Sequence, residues 1–499
     1  MLAILQFDST SVPLVERMIA EGRLQTLAGL RERGRSYDLD PGSTPLFPSA
    51  AYPTLYSGVE IADHGIYSAF PWAPADQRVR FMRERPLPRT VWERLRPGKR
   101  ALVIDPYDSW PPSTGEGLFL SGWQYRNRVA ALERWSVPKG AHRKLSRRFG
   151  APPLLEDTYG AQPARRLLAA RRDLLAAPAR VSALVTDLLA REPFELVWAT
   201  FSAGHFAGHF LWDTSGIVDG DAVAPAEEAA LARTVEDVYE AVDRAIGEIL
   251  GALDDQADVI VVSPIGMGPF TSRSDMLPEL LEAVLEGRAN GAAAGSSMFR
   301  LRAAVPSSVR AAVARALPAS AVHELAARLY LRGVDWSRTR AIALPGEHNG
   351  YVRLNVRGRE RDGIVPPEEV EGLLDRLANG LGTFRDDDGG EAIAAVERPD
   401  VGAGVGAAFL PDLVVRWSDR PSAGIRALRS ERFGEVRSRG KTGLSGHHSD
   451  DAWAVVLPGA SRLRPLDRRP RLVDVAATVC EVLGGDDVGL AGEPLLERG

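Results

Sequence analysis

The 499-residue sequence predicts an α/β fold with a mostly parallel central sheet and helices on both of its faces. Three observations predict it. Short, nearly unbroken apolar runs recur along the chain, as expected of strands buried on both faces. Stretches with apolar residues at helical spacing lie between them. The length exceeds what one small core needs, so either one large domain with insertions or two domains follow.

Residues 2–7 are apolar and form the first strand, which ends at Asp8. Residues 12–33 have the period of a helix. Residues 101–104 form a second strand and 196–201 a third. Residues 224–253 read as one long helix with Glu, Asp and Arg on its polar face. It leads directly into a fourth strand, 258–263, of sequence DVIVVS. Two stretches break the rhythm. Residues 105–189 mix Pro, Trp and Arg before turning helical, and 271–340 are helical by pattern. Both are expected to be cap insertions, leaving 1–104, 190–270 and 341–499 as the core.

Bulk properties exclude several classes. Hydrophobic residues make up 45% and charged residues 25%, ordinary for a soluble globular protein. The net charge of -5 offers no electrostatic case for nucleic acid. The single cysteine, Cys480, excludes an internal disulfide and sits in an apolar helical pattern, as a buried thiol would. No apolar run approaches the length of a membrane span. The uncharged first residues read as a strand rather than a signal peptide, so a cytoplasmic location is expected. Residues 416–441 carry eight Lys or Arg and read as a solvated loop, with a basic flap over an anionic ligand as the alternative. Oligomeric state leaves no mark in the sequence.

Ligands of parallel α/β sheets bind at the carboxyl ends of the strands, so the residues just past each strand carry the functional information. These are Asp8, then His205 and His209, then Pro264 and Ile265. The pair His447 and His448 precedes a further apolar run, 452–457.

These positions carry a resemblance. Phe47-Pro-Ser-Ala-Ala-Tyr-Pro-Thr-Leu-Tyr-Ser-Gly58, followed by Asp63-His64-Gly65-Ile66, resembles the nucleophile motif of the type I phosphodiesterase/nucleotide pyrophosphatase branch of the alkaline phosphatase superfamily. The segments 105–112, 350–355, 363–368, 411–415 and 473–478 are similar to other family segments and occur in the same order. The resemblance implies an alkaline-phosphatase-like fold. It also implies phosphoryl transfer by two metal ions, usually zinc, with a Thr or Ser nucleophile bridging to one of them.

Carried over residue by residue, the family pattern changes here. Asp8 matches a ligand of one metal. The nucleophile position falls on Ala51, which has no oxygen, and the remaining Asp-His pair of that metal falls on Pro264 and Ile265. Ser49 and Thr54 flank Ala51 as replacement nucleophiles, or as residues that cap or line the helix starting there. His64 is expected to hold a turn. The other metal keeps its ligands in altered form. Its Asp position is His205, its paired His is His209, and its distant His matches His448, with His447 as the competing register. Three imidazoles and one open position suit zinc.

The expectation is therefore one divalent metal ion, zinc, on His205, His209 and His448, with Asp8 as a general base or a water-orienting group. A hydrolase or related enzyme acting on a small anionic substrate, a phosphate-type or other ester, follows from it. Two other readings remain open: a pseudoenzyme serving as a binding or regulatory protein, and a conventional two-metal phosphodiesterase or nucleotide pyrophosphatase with the motifs misaligned.

Overall fold

The computed structural model describes residues 1–80, 87–125, 134–151, 155, 162–215, 223–287, 331, 334–346, 348–438 and 443–499. They divide into two compact units, Met1–His64, Pro86–Pro269 and Gly443–Gly499 in the first, Gly65–Arg85 and Phe270–Thr442 in the second.

The first unit is built on an eight-stranded sheet. Its strands run in the order Arg35–Asp38, Trp453–Leu457, Asp258–Ser263, Leu2–Phe7, Leu196–Phe201, Arg100–Ile104, Glu116–Ser121 and Trp135–Val137. The strand Leu2–Phe7 pairs in parallel with Leu196–Phe201 on one side and with Asp258–Ser263 on the other. Every residue of these three strands is buried, which explains why they read as continuous apolar runs. Trp453–Leu457 runs antiparallel to Asp258–Ser263, with Trp453 opposite Ser263. Helices such as Ala164–Leu189, Thr234–Leu250 and Leu472–Leu483 pack their apolar stripes on the sheet in one continuous core.

Two expected helices are each split. Residues 12–33 form Val12–Ala20 and Gln25–Arg33, separated by a turn at Gly22 with φ 73°. The second of these has no side-chain cap of its own. Asp243, from another helix, accepts the Thr26 and Leu27 N–H groups at 3.0 and 2.8 Å and satisfies its N-terminus. Residues 224–253 form Pro225–Ala232 and Thr234–Leu250, joined at Arg233.

The segment 105–189 differs from the expected insertion. Glu116–Ser121 extends the sheet in parallel with Arg100–Ile104, and Trp135–Val137 adds an antiparallel edge strand. The segment 341–442 likewise belongs to the second unit. That unit has its own four-stranded antiparallel sheet, ordered Ala341–Leu344, Gly350–Leu354, Leu413–Trp417, Ile393–Glu397. The helices Leu277–Glu286 and Val370–Leu381 close a separate apolar cluster over it. Arg353 and Glu360 form a buried ion pair at 2.8 Å inside this unit, and Trp72 Nε1 donates to the same carboxylate at 2.8 Å. Of the expected insertion 271–340, residues 288–330 lie outside the described residues. The arginines of 416–438 are largely ion-paired, Arg420 with Asp386 and Asp388, and Arg429 with Asp387 and Glu435. Among the described residues, no helix is long and apolar enough to cross a membrane.

Candidate metal centre

Three chain segments meet at the carboxyl edge of the first unit's sheet. The helix Ala203–Leu211 begins just past the strand Leu196–Phe201 and carries His205 and His209 one turn apart on one face. The loop Pro264–Gly268 leaves the neighbouring strand Asp258–Ser263. The segment that carries His448 arrives at the same edge because the strand it feeds is antiparallel and starts opposite Ser263. Trp453 Nε1 donates to Thr10 Oγ1 at 2.8 Å, and Thr10 Oγ1 lies 2.9 Å from Ser263 Oγ, which ties that strand's start to the end of the first strand. Ser445 secures the other side. Its N–H donates to His209 O at 2.7 Å and its Oγ accepts the Trp212 N–H at 3.0 Å.

His205, His209 and His448 are buried, with 1%, 6% and 9% of their surface exposed. One ring nitrogen of each lies within 4.8 Å of those of the other two. The ring centroids are 4.7 to 4.9 Å apart and the rings meet edge to face. The opposite side of each ring is held. His209 Nδ1 lies 2.9 Å from Gly446 O, and His448 Nδ1 lies 3.3 Å from Gly266 O. A carbonyl oxygen only accepts, so Nδ1 carries the proton in both rings, and the lone pair of each neutral ring is on Nε2. His205 Nδ1 has two hydroxyl partners, Ser9 Oγ and Tyr52 OH, and lies 3.2 Å from Asp8 Oδ2, whose charge favours a proton on that nitrogen without a hydrogen bond in proper geometry. The donor set is thus three imidazoles with matching tautomers in a buried site, which fits a divalent transition metal such as zinc.

Both orienting carbonyls belong to glycines that have no room for a side chain. A Cβ at Gly266 would lie 2.1 Å from Ser449 Oγ, and one at Gly446 would lie 2.3 Å from Gly208 O. The close approach of the three segments depends on these two positions.

Behind His205 is a compact polar cluster. Asp8 is fully buried at the end of the first strand. Its Oδ1 accepts from Ser9 Oγ at 3.3 Å and Gln6 Nε2 at 3.4 Å. Ser9 Oγ is 2.9 Å from His205 Nδ1, and Tyr52 OH is 3.1 Å from the same nitrogen and 3.2 Å from Ser9 Oγ. Burial, reinforced by the charge of Asp8, pushes the Tyr52 phenol well above its ordinary 10.0, so it stays a neutral hydroxyl. Tyr107 covers the His205 ring at a centroid distance of 4.3 Å.

The other residues singled out in the sequence take these places. Ala51 is fully buried at the start of the helix Ala51–Ser57, directly before Tyr52. Ser49 lies in the 3-10 turn Pro48–Ala50. Thr54 Oγ1 is bonded to His64 Nε2 at 3.0 Å, and both side chains are buried. Pro264 follows Ser263, and Ile265 packs into the apolar core. His447 turns away from the triad: its Nδ1 donates to Pro269 O at 2.7 Å, and His448 takes the place beside His205 and His209. Sequence reasoning missed Ser9, Tyr52 and the two orienting glycines. The signals were present in Asp8-Ser9, in Ala51-Tyr52 and in Gly446-His-His448, but none of them has a spacing that marks a ligand.

A family model described as type I phosphodiesterase / nucleotide pyrophosphatase matches residues 2–423. No curated protein matches the chain. Among solved structures, the chain is similar to phosphonoacetate hydrolase from Sinorhizobium meliloti 1021 in complex with phosphonoformate, at 13% identity, covering 95% of this chain and 94% of that one, with a TM-score of 0.49. It is also similar to murine ectonucleotide pyrophosphatase / phosphodiesterase 5, at 12% identity, covering 99% and 100%, with a TM-score of 0.49.

Proposed function

From the premise that this chain belongs to the type I phosphodiesterase / nucleotide pyrophosphatase family of the alkaline phosphatase superfamily, we propose that it is a hydrolase built around a single divalent metal, zinc, held by His205, His209 and His448. The observation that carries this reading is the triad itself, three buried rings whose Nδ1 atoms all face acceptors while their ring nitrogens converge. When bound, the metal supplies Lewis acidity toward an ester or phosphoryl oxygen and lowers the pKa of water.

The chain's own residues do the rest. The carbonyls of Gly446 and Gly266 fix the orientation of His209 and His448. The Asp8 carboxylate faces His205 Nδ1, strengthens that ring as a donor and returns one negative charge to the site from behind the ligand. Asp8 thereby supports His205, in place of the general base or water-orienting group expected from the sequence. Three neutral imidazoles leave the ion's charge undiminished by its direct ligands, which favours an anionic substrate, a phosphate-type or other ester. Ala51 offers no attacking oxygen, and Pro264 and Ile265 offer no ligands for a second ion, so two-metal phosphodiester chemistry is not expected.

Metal content and turnover test the reading. Protein prepared without chelators is expected to bind one equivalent of zinc, and to turn over generic aryl phosphodiesters poorly. Two equivalents with robust turnover would restore the two-metal enzyme. No stoichiometric metal in wild type or in His209→Ala, even after incubation with zinc, would leave a metal-free binding protein.

A further inference from the structure

Building on this metal-centre reading, we propose that Ser9 is a positioning residue for His205, held in a left-handed backbone so that its hydroxyl accepts the Nδ1–H of that ring and passes the hydrogen bond on to Asp8. Ser9 has φ 56°, a conformation that costs an L-residue roughly 1–2 kcal/mol and that glycine adopts freely. Non-glycine residues persist there when their surroundings over-determine them. The surroundings here do. Thr10 N–H donates to Ser263 Oγ at 3.1 Å and Ser11 N–H to Tyr239 OH at 2.9 Å, so side chains from two other elements hold the turn.

The turn itself would suit glycine, yet the residue is a serine whose fully buried hydroxyl touches three polar groups. Its Oγ lies 2.9 Å from His205 Nδ1, 3.2 Å from Tyr52 OH and 3.3 Å from Asp8 Oδ1. A hydroxyl has two lone pairs and one proton. Accepting from His205 Nδ1–H and from Tyr52 O–H while donating to Asp8 Oδ1 uses all three. The reverse assignment has a hydroxyl donating to Nδ1. It would set the Nδ1 lone pair against Asp8 Oδ2, 3.2 Å away, and would move the ring proton to Nε2, where it blocks metal binding. Asp8 Oδ2 is buried with no hydrogen-bond donor in proper geometry, so that arrangement would leave a buried carboxylate even less satisfied. The chain His205–Ser9–Asp8 therefore selects the tautomer that presents Nε2.

Ser9→Gly tests this without threatening the fold, because glycine keeps the turn and loses only the hydroxyl. The metal-free variant is expected to stay folded and melt within a few degrees of wild type, because relief of the left-handed backbone offsets the lost hydroxyl contacts. Its zinc affinity, measured by competition with a chromogenic chelator, is expected to fall about tenfold, the size of effect seen when a group behind a metal ligand is removed. Ser9→Ala should show the same loss of affinity. Equal zinc affinity in wild type and both variants overturns the positioning role while leaving the metal centre intact. A Ser9→Gly protein that melts several degrees lower yet binds zinc as tightly as wild type shows the serine to be structural and also overturns it. Wild-type protein that takes up no zinc, like the His209→Ala control, removes the metal-centre reading and this inference with it.

Discussion

Replacing Gly266 by alanine should damage stability, by an amount the contacts around it fix, and with it the metal binding proposed above. The backbone at Gly266 lies outside the left-handed region, so alanine brings no conformational strain and the effect is steric. The new methyl would lie 2.1 Å from Ser449 Oγ and 2.9 Å from Asp451 Cβ. Ser449 Oγ can rotate away only by giving up its 2.9 Å bond to the Asp451 carboxylate, a loss of about 1 kcal/mol at a half-buried site. Asp451 Cβ is not the end of a flexible chain, so the backbone itself must give, at about 1–3 kcal/mol. The expected destabilisation is therefore about 2–4 kcal/mol, read from denaturant unfolding at unchanged m-value. The shift also carries Gly266 O away from His448 Nδ1, 3.3 Å distant, so zinc affinity should fall in the same variant. Ser449→Ala removes the atom hit at 2.1 Å. The double variant should consequently lose less than the sum of the two single losses. A Gly266→Ala protein within about 0.5 kcal/mol of wild type, or strict additivity in the cycle, would refute the packing argument.

Two further outcomes follow. Thr54→Val keeps the shape and removes the bond to His64, so it should cost about 1–3 kcal/mol of stability while leaving zinc stoichiometry and any turnover intact; selective loss of turnover in a fully stable variant would instead make Thr54 a nucleophile. Burial raises the carboxyl of Asp105 from 3.8 to about 6, so the neutral form is favoured in the fold. Its stabilising contribution is complete below about pH 4 and is lost as pH rises through 6, by at most about 3 kcal/mol. The stability difference between wild type and Asp105→Asn, measured by denaturation from pH 4 to 7, should follow that curve; parallel profiles would contradict it.

The central strands were legible because burial on both faces writes itself as an unbroken apolar run, as in 2–7, 196–201 and 258–263. Glu116–Ser121 was not, because Pro111, Pro112, Gly115 and Gly117 interrupt the pattern around it and its pairing with Arg100–Ile104 is a tertiary fact. The helix breaks at Gly22 and Arg233 were overrun for a related reason, since the apolar period continues across each turn. In the site, the i, i+4 spacing of His205 and His209 could be read directly. The partnership of Ser9 with Tyr52 and His205 joins residues 43 and 196 positions apart, and no local pattern encodes it.

The third ring of the triad rides on the segment that leads into Trp453–Leu457, and this last strand of the eight occupies an interior slot between Arg35–Asp38 and Asp258–Ser263. A nascent chain emerging from the ribosome therefore has two of its imidazoles in hand for more than two hundred residues of synthesis with the sheet still open. Until that late insertion the Asp258–Ser263 strand presents a bare backbone edge to any passing chain. Closing the edge and delivering His448 are the same event, so the three rings come together only as the sheet is sealed.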